Sequence, residues 1–127
     1  KVYDAMKSVY GRVLISLERD ADPYVLGRQK VYDRGGSLRG TVWVTNDFSN
    51  ALDDAQVSWE IASIEAGEVV TKNERTVSVP ADAAGEVDRV DWQIPSTAKP
   101  GAYRVAMQVL DRDGRELSSN STDVTVH

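Results

Sequence analysis

The sequence predicts an all-β fold, two packed antiparallel sheets holding seven to eight strands. Three observations carry this expectation. Apolar and polar residues alternate with period two in a series of short segments, and turn formers separate those segments every ten or so residues. Beyond the first ten residues no segment has a convincing helical period. The run Pro100-Gly101-Ala102-Tyr103 then opens an alternating strand with a sharp turn. Gly101 takes a positive φ there at little cost, and the phenol of Tyr103 can bond back to the preceding connection. Such a tyrosine corner marks the penultimate strand of immunoglobulin-like sandwiches. The expected fold is therefore an immunoglobulin-like antiparallel β-sandwich, with no disulfide because the chain has no cysteine.

The elements follow in order. In residues 1–10, Val2, Met6, Val9 and Tyr10 fall on nearly one side of a helical turn too short to be stable alone. Residues 1–11 read as the tail of a preceding domain with its linker, and residues 12–127 as one sandwich domain. Residues 12–19 form the first strand, with Val13, Ile15 and Leu17 on one face. Residues 20–36 are rich in charge and turn formers, with a short extended piece near 28–32. Residues 37–46 alternate strictly: Leu38, Gly40, Val42 and Val44 on one face, Arg39, Thr41, Trp43 and Thr45 on the other. Asn46-Asp47 ends that strand, where short polar side chains bond nearby backbone.

Residues 55–64 form the next strand, with Val57, Trp59 and Ile61 facing in, and Gly67 lies in the hairpin after it. Residues 69–72 and 75–79 read as two short strands, and 80–85 as a loop. Residues 86–94 turn Val90, Trp92 and Ile94 inward. Tyr103, Val105, Met107 and Val109 line the strand after the corner. Asp113-Gly114 makes a tight turn, and residues 115–126 form the last strand, broken near 118–121. Trp59 sits where immunoglobulin folds keep a buried Trp, and Val105 where antibody domains keep their second Cys. Aliphatic packing thus replaces the disulfide. Trp59, Trp92, Gly101 and Tyr103 are the fold-defining residues.

Composition excludes several classes. The net charge of −5 argues against a nucleic-acid binder, which needs a basic face, and against docking on an anionic membrane. No run approaches the ~18–20 apolar residues of a membrane span. The chain opens on Lys1 rather than Met, with no signal peptide, and reads as a piece of a longer protein, either cytoplasmic or exported.

No constellation for catalysis, metal or cofactor emerges. His127 is the only histidine and the last residue, which leaves no Ser-His-Asp triad or histidine metal site. Asp111-Arg112-Asp113-Gly114 resembles the start of a calcium loop, but position twelve is Thr122, not a bidentate Glu. It reads as a hairpin turn. Asp20, Asp22, Asp47, Asp53, Asp54, Glu65 and Glu68 read as solvated loop charge, since nothing forces a pair of them across a cleft. Gly35-Gly36 and Gly40 lack the spacing of a phosphate loop. Asn120-Ser121-Thr122 matches a glycosylation sequon and reads as chance.

Trp43, beside Arg39 and Thr41 on an outward strand face, is the candidate contact residue. Three readings stand: contact with a neighbouring domain, cover by the 20–36 connection, or stacking on a sugar ring.

Several segments resemble one family. Tyr3-Asp4-Ala5-Met6-Lys7-Ser8-Val9-Tyr10 resembles the tail that leaves the catalytic barrel of family 2 glycoside hydrolases. Gly40-Thr41-Val42-Trp43-Val44-Thr45-Asn46-Asp47 resembles their V-W-V-x-N-D strand. Ala55 through Ile61, and Pro100-Gly101-Ala102-Tyr103 through Asp113-Gly114, extend the resemblance over nearly the whole chain. It is closest to the post-barrel sandwich of the β-mannosidase and exo-glucosaminidase branch, with β-galactosidase-like enzymes alongside. The connection over 20–36 is longer than the family pattern.

The resemblance implies a bacterial parent enzyme that hydrolyses β-glycosides with retention, using two glutamates on a barrel upstream of Lys1. No catalytic residue carries over to this chain. The implied role is a non-catalytic accessory domain whose partner is the barrel, with possible carbohydrate contact and no cofactor. The alternatives are a carbohydrate-binding module, with Trp43 weakly helped by Tyr24 or Tyr32, and an adhesin or surface-array repeat.

Overall fold

The computed structural model describes residues 13–19 and 31–127. The expected tail over 1–11, the carboxylates Asp20 and Asp22, Tyr24, and most of the 20–36 connection lie outside them. Eight strands occur among the described residues: β1 Val13–Arg19, β2 Val31–Tyr32, β3 Ser37–Asn46, β4 Leu52–Ser63, β5 Val69–Val79, β6 Ala83–Gln93, β7 Gly101–Leu110 and β8 Glu116–Val126. They form two sheets, one of order β1-β3-β6 and one of order β2-β8-β7-β4-β5. All pairings are antiparallel except the short β2–β8 pair, which is parallel. This is the expected immunoglobulin-like sandwich, with one parallel edge added by the connection before β3.

Alternation fixes the core. Val13 and Ile15, Leu38, Val42 and Val44, Val90 and Trp92 line the inner face of the smaller sheet. Val57, Trp59 and Ile61, Tyr103, Val105, Met107 and Val109, Val124 and Val126 line that of the larger. Val105, in the place of an antibody cysteine, is fully buried. Burying a side chain of this size stabilises by about 1.5–3 kcal/mol, so packing can stand in for the bridge. The rings of Trp92 and Tyr103 meet at 5.2 Å, and the Tyr103 hydroxyl donates to Lys99 O at 2.7 Å. That bond ties the corner to the chain before it. Gly101 has φ 135°, and a Cβ there would stand 3.2 Å from the Glu65 carboxylate.

The structure corrects four element boundaries. β4 starts at Leu52, not 55, because a bulge at Asp54 (φ 55°) lets Leu52 pair with Val79 before the alternation starts. β5 is one strand rather than two: Asn73 interrupts the apolar pattern, yet it pairs with Trp59 and turns its amide to Asp88 on the other sheet. β6 starts at Ala83, since the turn before it needs only Asp82 at φ 50°. β8 runs unbroken through 118–121. Two of its polar residues there face β1: Ser118 Oγ accepts from Ile15 N and Asn120 Nδ2 donates to Ile15 O.

Candidate functional site

Two outer faces of the sandwich are candidates. On the smaller sheet, β3 is central. Its outward residues Arg39, Thr41 and Trp43 lie between Glu18 and Ser16 of β1 and Asp91, Arg89 and Glu86 of β6. The Trp43 indole N–H donates to Glu18 Oε1 at 3.2 Å, so the ring is held on the face and half-buried. Leu14, 38% exposed, lies diagonally beside it, opposite Thr45. Arg39 Nε donates to Asp91 Oδ1 at 3.4 Å, an exposed pair worth little in stability. Thr41 differs from the expectation of an open contact group. It is buried, and its hydroxyl accepts from Arg89 Nη1 at 2.7 Å. The face is therefore a Trp43–Leu14 apolar centre with a charged rim, and Thr41 anchors one rim residue.

A β-bulge shapes this face. Val42 opposes Asp88 while Trp43 opposes Glu86, which leaves Val87 as the extra residue. The bulge breaks the alternation of β6. Val87 is buried, and Asp88 turns its carboxylate inward, where it accepts from Trp59 Nε1 at 2.9 Å and Asn73 Nδ2 at 2.7 Å.

The second face is the outside of the larger sheet. Small residues on successive strands, Ser58, Ala106, Ser119 and Ser121, floor a hollow of about 1020 Å³. Lys72 and Glu74 of β5 wall one side. Arg104 lies at one end, doubly bonded to Asp123 at 2.8 and 3.2 Å. The Asp123 hydrogen bond, and then its charge, raise the pKa of Arg104 above the ordinary arginine value. Gln108 donates to Glu116 at 2.7 Å. Among the described residues no aromatic side chain lines the hollow apart from Trp59, whose ring belongs to the core. The outward small residues were the one sequence signal for this hollow, spread over three strands.

The remaining motifs have structural uses. Asp111 Oδ1 accepts from the backbone N–H groups of Asp113 and Arg115, which closes the hairpin at Gly114 (φ 86°). Asp47, Asp53, Asp54, Glu65 and Glu68 are exposed. Among the described residues no group of three or more His, Cys, Asp or Glu is placed to hold a metal ion, and no helix is long and apolar enough to cross a membrane. In the sequon, the Asn120 amide is engaged by Ile15 O at 3.2 Å.

The model of the mannosidase Ig/CBM-like domain matches residues 40–120, most of the chain. The chain belongs to the mannosidase Ig/CBM-like domain family. The family match takes in Trp43, the β6 bulge and the tyrosine corner. No curated protein sequence matches the chain. Solved structures share the fold at low identity. The CARDB domain of a Pyrococcus furiosus protein, in complex with di-metal ions, is 16% identical over 91% of this chain and 87% of its own, with TM-score 0.64. A Paenibacillus sp. cycloisomaltooligosaccharide glucanotransferase, complexed with cycloisomaltoheptaose, is 24% identical over 90% of this chain and 14% of its own, with TM-score 0.59. A β-glucuronidase from glycoside hydrolase family 2 is 12% identical over 90% of this chain and 12% of its own, with TM-score 0.61. In the two enzymes, the region that matches this chain is a small part of a much longer chain.

Proposed function

We propose that this domain is a non-catalytic accessory module of a multidomain glycoside hydrolase, and that the outer face of β1-β3-β6 packs on the catalytic domain. Membership of the mannosidase Ig/CBM-like family supports the first part. The observation that carries the second is the Trp43–Leu14 centre with its rim of Glu18, Arg39, Asp91 and Glu86. An apolar centre inside a polar rim is the anatomy of a protein contact. Holding the indole through Glu18 lowers the entropy lost when the ring is covered. The test is Trp43→Ala made both in the parent polypeptide and in the isolated domain. The expected result is a lower melting temperature or activity of the parent, while the isolated domain stays folded. An unchanged parent would sink the proposal.

A second reading is favoured by the hollow on the opposite sheet. Its polar floor and walls suit a hydroxyl-rich ligand held by hydrogen bonds rather than by ring stacking. Titrating the isolated domain with β-linked oligosaccharides by heteronuclear NMR separates the two. Shifts confined to Ser58, Ala106 and Ser119 would favour carbohydrate binding there. Shifts at Trp43 would place the sugar on the other face, and none would leave the packing role alone.

A further inference from the structure

We propose that β5 is the seam of a twofold dimer, in which its free edge pairs antiparallel with β5 of a second copy, centred on Asn73. Among the described residues β5 ends the larger sheet and its backbone pairs only with β4, which leaves one row of its backbone groups facing away from that sheet. On its core side a hollow of about 460 Å³ between β5 and β6, lined by Arg75, Val77, Gly85 and Val87, leaves room beside that edge. The strand contains no proline to block pairing.

The charges select the register. Lys72 and Glu74 face outward, opposite Glu60 and Ser58 of β4, while Thr71, Asn73 and Arg75 face the other side. In an antiparallel pair, directly opposed residues share a face and opposite charges there attract. A twofold axis at Lys72 would set Lys72 against its own copy, and an axis at Glu74 would set Glu74 against its own. An axis at Asn73 sets Lys72 against Glu74 on both sides of the centre, and Thr71 against Arg75. Only the last register sets opposite charges directly against each other, and it does so twice. The bulge between the Ile61–Thr71 and Ala62–Val69 pairs ends the regular part of β5 just before Thr71. The seam is therefore short and centred on these charges. The walls of the two outer hollows, Lys72 and Glu74 in each copy, then meet along it.

So short a seam makes a weak dimer, best measured by sedimentation velocity across roughly 10 μM to 1 mM. The unchanged chain should shift from monomer to dimer over that range. Lys72→Glu and Glu74→Lys should each weaken the dimer about tenfold or more, by opposing like charges twice. The double variant Lys72→Glu/Glu74→Lys should restore it. Both positions are exposed, and circular dichroism checks that each variant is folded. A monomer throughout would overturn the proposal and leave the edge to an extended segment of another protein. A dimer indifferent to the single changes would assign association to another surface, and a double variant that stays monomeric would refute the register.

Discussion

The Trp59 indole N–H donates to Asp88 Oδ2 at 2.9 Å, so a core tryptophan of one sheet is bonded to a carboxylate of the other. Asp88 also accepts from Asn73 Nδ2 at 2.7 Å and from Arg89 N at 2.8 Å, and Arg75 Nη1 stands 3.6 Å away. Its side chain is only 7% exposed. Taking a carboxylate out of water is costly, and the cost is offset only when its oxygens are bonded. Here three donors and one cation surround it, and the two sheets are fixed relative to each other as a result.

Asp88→Ala would leave the Trp59 N–H and the Asn73 amide without their acceptor. The expected loss is about 3 kcal/mol, from hydrogen bonds to a charged group and an orphaned buried donor. Asp88→Asn keeps the shape and one acceptor, and should cost less. Urea denaturation of the three proteins checks the order. Equal stability of Asp88→Ala and the unchanged chain would refute it.

Much of this fold was legible because strand parity is a local property. The bounds of β3, the inward set Val57, Trp59 and Ile61, and the corner at Tyr103 all follow from neighbours in sequence. Asp88 was not legible. The bulge that turns it inward is a mismatch in counting between β3 and β6, and its partners Trp59 and Asn73 lie on the other sheet. For the same reason Ser118 and Asn120 read as a break in β8, when they serve β1 more than a hundred residues away. Of the candidate face, the shared side of Arg39 and Trp43 was in the alternation. The Glu18 bond and the burial of Thr41 depend on register, which only the paired strands define.

Asn46 is fully buried at the end of β3. Its amide donates toward Asn50 O, Val79 O and Pro80 O, and its Oδ1 accepts from Phe48 N. Asn46→Asp puts a carboxylate against three carbonyl oxygens, which favours its protonated form in the folded state. Its folded pKa then lies above the unfolded value, so the native state binds more protons and stability falls as pH rises. The variant should therefore lose stability between about pH 4 and 7 relative to the unchanged chain. Thermal unfolding at a series of pH values reads this, and a parallel profile for the two proteins would count against it.

Tyr103 combines ring packing with one hydrogen bond, and two substitutions separate them. Tyr103→Phe removes the 2.7 Å bond to Lys99 O and keeps the contact with Trp92. It should cost about 1 kcal/mol. Tyr103→Ala also removes the ring from the core and should cost about 3–5 kcal/mol. If Tyr103→Phe were as damaging as Tyr103→Ala, the corner bond rather than the packing would dominate.

Ile15 has its two outward backbone groups satisfied by side chains of β8, its N–H by Ser118 and its C=O by Asn120. These bonds close an edge of the smaller sheet that has no strand beside it among the described residues. Unbonded buried backbone groups are costly, so the loss should appear first as local opening of β1. Ser118→Ala with Asn120→Ala should speed amide exchange in Val13–Arg19 about tenfold or more, while exchange in β4 and β7 changes less, since about 1 kcal/mol per lost bond is concentrated on β1. Hydrogen–deuterium exchange followed by mass spectrometry measures both regions in one experiment. Uniform acceleration across all strands would show that β1 opens only with the whole sandwich, and the side chains of β8 would then be general core contacts rather than the closure of this edge.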